Sequence, residues 1–264
     1  MRTIAIFNLK GGVGKTITTA TMAYCLANRH RKRVLVIDGD SQGNLSQYFD
    51  VAAEEGRSLV DLLEGNCEPY LEDILTKTLN PRIHIIPSDA RMMDADMTSV
   101  AKGRCNPRAI EDLRTAIAED NGMDFLLIDC APAFNASGIA ALRAADDVII
   151  PVRLDTFATD GIRNLTQQVY NMRRANGRLR VAGVLVTQWR NTELEQGMRQ
   201  YLEEHGFPIF SRPIRMSGPV PYAISRRENL LTYSPSCAAS VDYKRVVEEY
   251  LQDLRGGAVD AEDA

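Results

Sequence analysis

The sequence predicts an α/β fold, a doubly wound, mostly parallel sheet with helices on both faces. Two observations carry this. Short apolar runs without polar alternation recur at residues 3–7, 34–37, 83–86, 125–128, 148–150 and 181–186, and such runs mark strands buried on both faces. Helical periodicity fills the intervals at residues 15–28, 89–100, 107–119, 137–144 and 157–174. Strand and helix therefore alternate, as the crossovers of a parallel sheet require.

Each element has its own signal. The first run, Thr3-Ile4-Ala5-Ile6-Phe7, meets a glycine-rich turn, and an amphipathic helix follows. The second, Val34-Leu35-Val36-Ile37, ends in Asp38, and the fourth, Phe125-Leu126-Leu127-Ile128, ends in Asp129. Beyond the sheet come a helical pattern at 192–205, a proline-rich stretch and a helix at 237–254. Residues 1–255 read as one domain, and residues 256–264 as a disordered acidic tail.

Composition narrows the classes. The chain has 264 residues, 45% of them hydrophobic and 25% charged, with a net charge of −4. That is enough chain for a full core, and it excludes collagen-like, disordered and disulfide-framed classes. No apolar run approaches the ~20 residues of a membrane-spanning helix, and the first apolar stretch is too short for a signal peptide. The five cysteines, Cys25, Cys67, Cys105, Cys130 and Cys237, include no C-x-x-C pair, which points to a reducing cytoplasm. His30, His84 and His205 are isolated and show no zinc-binding spacing.

Charge is unevenly spread. Residues 161–227 hold 11 arginines, no lysine and four acids, a net of +7, so the remainder carries −11. Such a zone is either a polyanion surface or a solvated face of locally paired charges.

The chemistry concentrates at strand ends, where open α/β sheets bind ligands. Lys10-Gly11-Gly12-Val13-Gly14-Lys15-Thr16 lies between the first strand and first helix. Glycines let backbone N–H groups converge on phosphate oxygens, and the helix N-terminus adds positive charge. Lys15 is placed to reach β- and γ-phosphates and Thr16 to hold Mg²⁺. Leu9 occupies the first glycine position of the usual G-x-x-x-x-G-K-[ST] pattern, so the fit is to a deviant form with a second lysine, Lys10. Asp38, Asp40 and Asp129 follow strand ends, where a carboxylate can hold water on Mg²⁺ or cap a helix.

These residues, with Asp38-x-Asp40-x-Gln42-Gly43-Asn44, Ile128-Asp129-Cys130-Ala131-Pro132, residues 151–161, Gly183-Val184-Leu185-Val186-Thr187, Pro213-Ile214-Arg215-Met216-Ser217 and Tyr233-Ser234-Pro235, resemble the ParA/Soj family of DNA-partitioning ATPases. That family belongs to the P-loop group that also holds MinD and the nitrogenase iron protein. The resemblance implies ATP and Mg²⁺ as cofactors and slow, partner-stimulated hydrolysis. It implies Lys10 as the lysine that crosses to a partner subunit's nucleotide, Lys15 on phosphate and Thr16 on Mg²⁺. Asp40 would act on the attacking water, while Asp38 and Asp129 would support the metal. Residues 10–17, including the Ile17 backbone, would hold phosphate, and Thr187, Gln188, Pro213, Ile214 and Arg215 would line the adenine site. Arg190, Arg215, Arg226 and Arg227 would meet DNA phosphates. Ile17, Ser41, Ala131, Ala133 and Leu9 depart from the usual family residues; none removes a charged group.

The same resemblance implies an ATP-state homodimer that binds DNA without sequence specificity. It would act with a ParB-like activating partner on a plasmid, chromosome or mobile element, in the nucleoid-associated cytoplasm. Alternatives are a positioning ATPase for a protein cargo and a MinD-like membrane ATPase. The acidic C-terminal segment lacks the basic amphipathic face that membrane attachment needs. The chain opens at its first strand, so the helix-turn-helix domain of longer relatives is not expected. A [4Fe–4S] cluster would need two placed thiolates per subunit, and Cys130 has no suitable neighbour in sequence.

Overall fold

The computed structural model describes residues 1–67, 74–95, 105–119, 122–155 and 158–262. Seven strands form one sheet in the order β3-β4-β2-β5-β1-β6-β7. They are β1 (Arg2–Ile6), β2 (Val34–Gly39), β3 (Thr76–Lys77), β4 (Ile83–Ile86), β5 (Phe125–Cys130), β6 (Asp147–Val152) and β7 (Arg180–Val186). Every pairing is parallel except β3 on β4. The two-residue β3 carries no apolar run, so sequence periodicity could not reveal it.

The described helices are α1 (Lys15–Arg29), α2 (Asn44–Tyr48), α3 (Leu59–Glu64), α4 (Ala109–Glu119), α5 (Ala136–Ala144), α6 (Ala158–Met172), α7 (Glu193–Glu204), α8 (Pro219–Ser225), α9 (Leu230–Tyr233) and α10 (Ala238–Glu262). Two begin in capping boxes, Ser58 with Asp61 and Thr192 with Glu195. The proline-rich stretch folds into α8, with Pro219 in its first turn, where a missing N–H costs nothing. The expected helix at 89–100 runs into residues 96–100, which lie outside the described residues, as does residue 157 of the expected 157–174 helix. α10 runs on to Glu262, past residue 255, where the sequence reading starts a tail. No proline interrupts that segment, so Gly256 and Gly257 lower its helix propensity without removing a backbone donor.

Two apolar layers flank the sheet. Leu59, Leu113, Leu142, Leu165 and Leu202 pack α3 to α7 on one face. Met22, Leu45, Ala223, Leu230, Tyr243 and Val247 pack α1, α2, α8, α9 and α10 on the other. Both faces of the central strands are therefore covered, which accounts for their lack of alternation. Among the described residues no helix is long and apolar enough to cross a membrane.

Candidate nucleotide site

The loop from β1 to α1 curls because Gly12 and Gly14 adopt left-handed backbone, at φ +73° and +86°. Asn8 fixes its start: its amide donates to the Pro151 carbonyl (2.7 Å), and its side-chain oxygen accepts from the Lys10 N–H (2.9 Å). Thr187 and Gln188 brace its far side. The Thr187 hydroxyl donates to the Val13 carbonyl (2.8 Å), and the Gln188 amide donates to the Gly12 carbonyl (2.8 Å). The α1 N-terminus has neither a side-chain cap nor an acid in its first turn, so its free N–H groups and dipole face the loop, an arrangement suited to an anion.

Lys15 lies at the centre, buried, with Nζ 3.2 Å from the Lys10 carbonyl. Burial lowers its pKa, and the carboxylates of Asp129 and Asp40 work against that shift. Lys10 is exposed and ion-paired with Asp155.

β2 and β5 run so close that a Cβ on Gly39 would meet the Asp129 carbonyl at 2.8 Å. Their register sets Asp38 directly opposite Asp129. Burial and the Asp38 charge push Asp129 up to about 8, against the pull of Thr16 and Lys15. Asp38 is also raised, to about 6, chiefly by burial. Its Oδ2 accepts from the Ser46 N–H (2.8 Å) and hydroxyl (2.7 Å), and its Oδ1 accepts from the Asp40 N–H (3.3 Å). Ser46 gives no sequence signal, since the path of α2 alone brings it there.

Asp129 Oδ2 is buried without a hydrogen-bond partner. A buried, unpartnered carboxyl oxygen beside Thr16 and Lys15 fits the surroundings of a phosphate-bound divalent cation. Among the described residues no three His, Cys, Asp or Glu groups form a metal cage. A cation held mainly by phosphate, hydroxyl and water does not need one.

Above the loop opens a cavity of about 830 Å³. Gly11, Gly12, Gly14, Lys15, Thr16 and Asp40 supply polar lining, and Ile17, Ile214, Val220 and Pro221 supply apolar lining. A cavity with both kinds of wall suits a ligand that carries phosphate and a base. Thr187, Gln188 and Arg215 also line it, whereas Lys10, Val13 and Pro213 do not. Val13 is buried in the core. Tyr48 and Tyr243 line the cavity too, and the Tyr243 hydroxyl lies 3.0 Å from that of Thr18. Both tyrosines come from distant parts of the chain, so no local pattern marks them.

The four arginines assigned to DNA divide. Arg215 makes a two-pronged bond to buried Asp242 of α10, at 2.8 Å each. Arg227 pairs with Asp50. Arg190 Nε sits 3.0 Å from Met216 Sδ, and the Arg226 guanidinium lies 5.6 Å from the Tyr233 ring centroid. Cys130 is buried and its thiol is pushed well up, so it is a packing residue and no thiolate.

A family model described as an AAA domain matches residues 1–181. The chromosome partitioning protein ParA of Caulobacter vibrioides is 32% identical over 259 residues, covering 97% of this chain and 96% of that one. The chain belongs to the ParA/Soj family of P-loop ATPases. The chromosome-partitioning ATPase Soj of Thermus thermophilus is 33% identical over 254 residues, covering 95% of this chain and 96% of that one. The ParA/Soj fold extends further: cobyrinic acid a,c-diamide synthase from Mycobacterium smegmatis, solved with bound ADP and magnesium, superposes with a TM-score of 0.79 at 24% identity. That superposition covers 97% of this chain and 96% of the other.

Proposed function

We propose that this ParA/Soj protein is an ATP-switched homodimer that holds DNA without sequence specificity and partitions a plasmid, chromosome or mobile element. The observation that carries the reading is the uncapped α1 N-terminus with Lys15, set in one cavity with Asp40 and backed by unpartnered Asp129 Oδ2. Partitioning relatives that align along almost the whole chain support the cargo class.

Lys15 and the loop N–H groups bind the β- and γ-phosphates, and Thr16 with Asp38 and Asp129 holds Mg²⁺, directly or through water. The metal supplies charge neutralisation between phosphates. Asp40 orients the attacking water. Lys10 leaves Asp155 to meet the partner subunit's nucleotide, so closure exchanges one ion pair for another. Arg190 and Arg226, unpaired with any acid among the described residues, are the freest of the four arginines to neutralise phosphate, and such contacts carry no sequence information. A ParB-like protein triggers hydrolysis and release.

The test is DNA binding with ATP, with ADP and without nucleotide, across a salt series. Tight, salt-sensitive binding to unrelated duplexes with ATP alone supports the switch. Equal binding in all three states, or none, overturns it.

A further inference from the structure

The densest run of positive charge, Arg29-His30-Arg31-Lys32-Arg33, lies outside both the phosphate loop and the arginine-rich zone. It forms the turn from α1 into β2, at the end of the sheet opposite the phosphate loop. The β3–β4 turn brings Arg82 beside it, while Lys77 lies in β3 opposite His84. Val34 pairs with Ile83 across the sheet, and the Arg82 guanidinium donates to the Arg31 carbonyl at 3.3 Å. Glu248 and Asp124 neutralise Arg29 and Lys32. Among the described residues no salt bridge reaches Arg31, Arg33, Lys77 or Arg82, and all four are exposed. Arg33 and Lys77 lie around His84 instead, where burial and then their charges hold the imidazole below its ordinary range.

A groove of about 840 Å³ opens at this corner. Arg31 and Arg82 line it, Tyr24 gives it an aromatic wall, and Asn28, Asn80 and Asn229 add amides. Arg227 lines this groove and the nucleotide cavity alike. A basic track therefore leads from the mouth of the nucleotide cavity, past Arg227, along α1 to the far edge of the sheet. Glu228 is the acid on its wall. Three arginines, Arg31, Arg82 and Arg227, line one groove of this size, which suits an extended chain of phosphates better than a single anion.

We propose that this groove is a track for the phosphate backbone of duplex DNA, with Arg31 and Arg82 as its contacts and Arg227 where it meets the nucleotide cavity. The proposal rests on the DNA-binding reading above and extends it to a surface remote from the ATP-contacting residues. It gives Arg227 a place on the DNA path, where phosphate competes with Asp50 for its guanidinium.

The test replaces both side chains together (Arg31→Gln, Arg82→Gln) and measures binding of a labelled duplex with ATP across a salt series. Each lost phosphate contact removes about 0.9 from the log–log salt slope, so the slope flattens by about 2 for each groove engaged and affinity falls several-fold. Mg-ATP affinity and Tm stay at wild-type values, since both residues are exposed and outside the nucleotide cavity. Should the double variant unfold, Arg31→Gln alone repeats the measurement, leaves the Arg82 bond to the Arg31 carbonyl intact, and flattens the slope by about 1. Wild-type binding with an unchanged variant slope overturns the groove alone. A wild-type protein that binds no DNA in any nucleotide state overturns the groove and the reading beneath it. Poly-glutamate that displaces DNA from the wild type but not from the variant shows an anionic site without DNA preference, and overturns the DNA assignment.

Discussion

Lys15 is a desolvated ammonium whose hydrogen bond runs to the carbonyl of its own loop. Replacing it with alanine should weaken Mg-ATP binding by about 100-fold or more, because charge-assisted bonds to phosphate are lost from a buried site. Calorimetric titration measures this, and wild-type affinity in Lys15→Ala would remove Lys15 from the phosphate site. Asp40 lines the cavity without holding the loop together, so Asp40→Ala should bind ATP yet fail to turn it over, and a phosphate-release assay on saturated enzyme tests this. Asp129 gives a pH signature in the nucleotide-free, metal-free protein. Its folded pKa of about 8 stands above the ordinary carboxylate value of 3.8, so between those values the folded state binds the extra proton and stability declines as pH rises. Asp129→Asn should therefore raise Tm at pH 8, with the gain shrinking towards pH 4. Scanning calorimetry at several pH values decides it, and a Tm gain independent of pH would contradict proton uptake by Asp129 as the cause.

At the scale of elements, α10 holds the far wall of the cavity. Asp242 anchors Arg215, and Tyr243, next in sequence, faces Thr18 of α1. The Arg215 side chain is 45% exposed, while that of Asp242 is fully buried with Arg212 as its remaining cation, at 3.8 Å. Arg215→Ala should thus cost about 2 kcal/mol of stability by stranding a buried carboxylate, and Asp242→Asn should cost less. Urea unfolding of both mutants and of the double mutant yields the coupling; a neutral Arg215→Ala would mean that Arg215 is a free surface cation. The residues at 213–217 stood out in the sequence, but their anchor did not. Asp242 lies 27 positions away, and an aspartate in an amphipathic helix looks like any solvated one until packing buries it.

For the molecule as a whole, the site is half of an assembly in the proposed switch. Lys10 rests against Asp155 of its own chain; in the closed dimer it would lie across the interface. Lys10→Ala should keep Mg-ATP affinity within a few-fold of wild type, since Lys10 does not line the cavity, and should stay monomeric with ATP. Size-exclusion chromatography with light scattering reads this, and an ATP-dependent dimer of the mutant would exclude the crossing role.

The parallel sheet, its strands and the phosphate loop were legible in the sequence because they rest on local physics. Uninterrupted apolar runs specify strands covered on both faces, and Gly12, Gly14, Lys15 and Thr16 specify a turn meeting a helix, whatever surrounds them. Tertiary structure decided the rest. Only the register of β2 against β5 sets Asp38 beside Asp129, where its charge adds to burial in raising the Asp129 pKa. Only the path of α10 buries Asp242 against Arg215. Only the packing of the β3–β4 turn on the end of α1 brings Arg82 beside Arg31. Charge, unlike apolar periodicity, has no preferred spacing along a chain; what a charge does depends on what folding brings within a few ångströms of it.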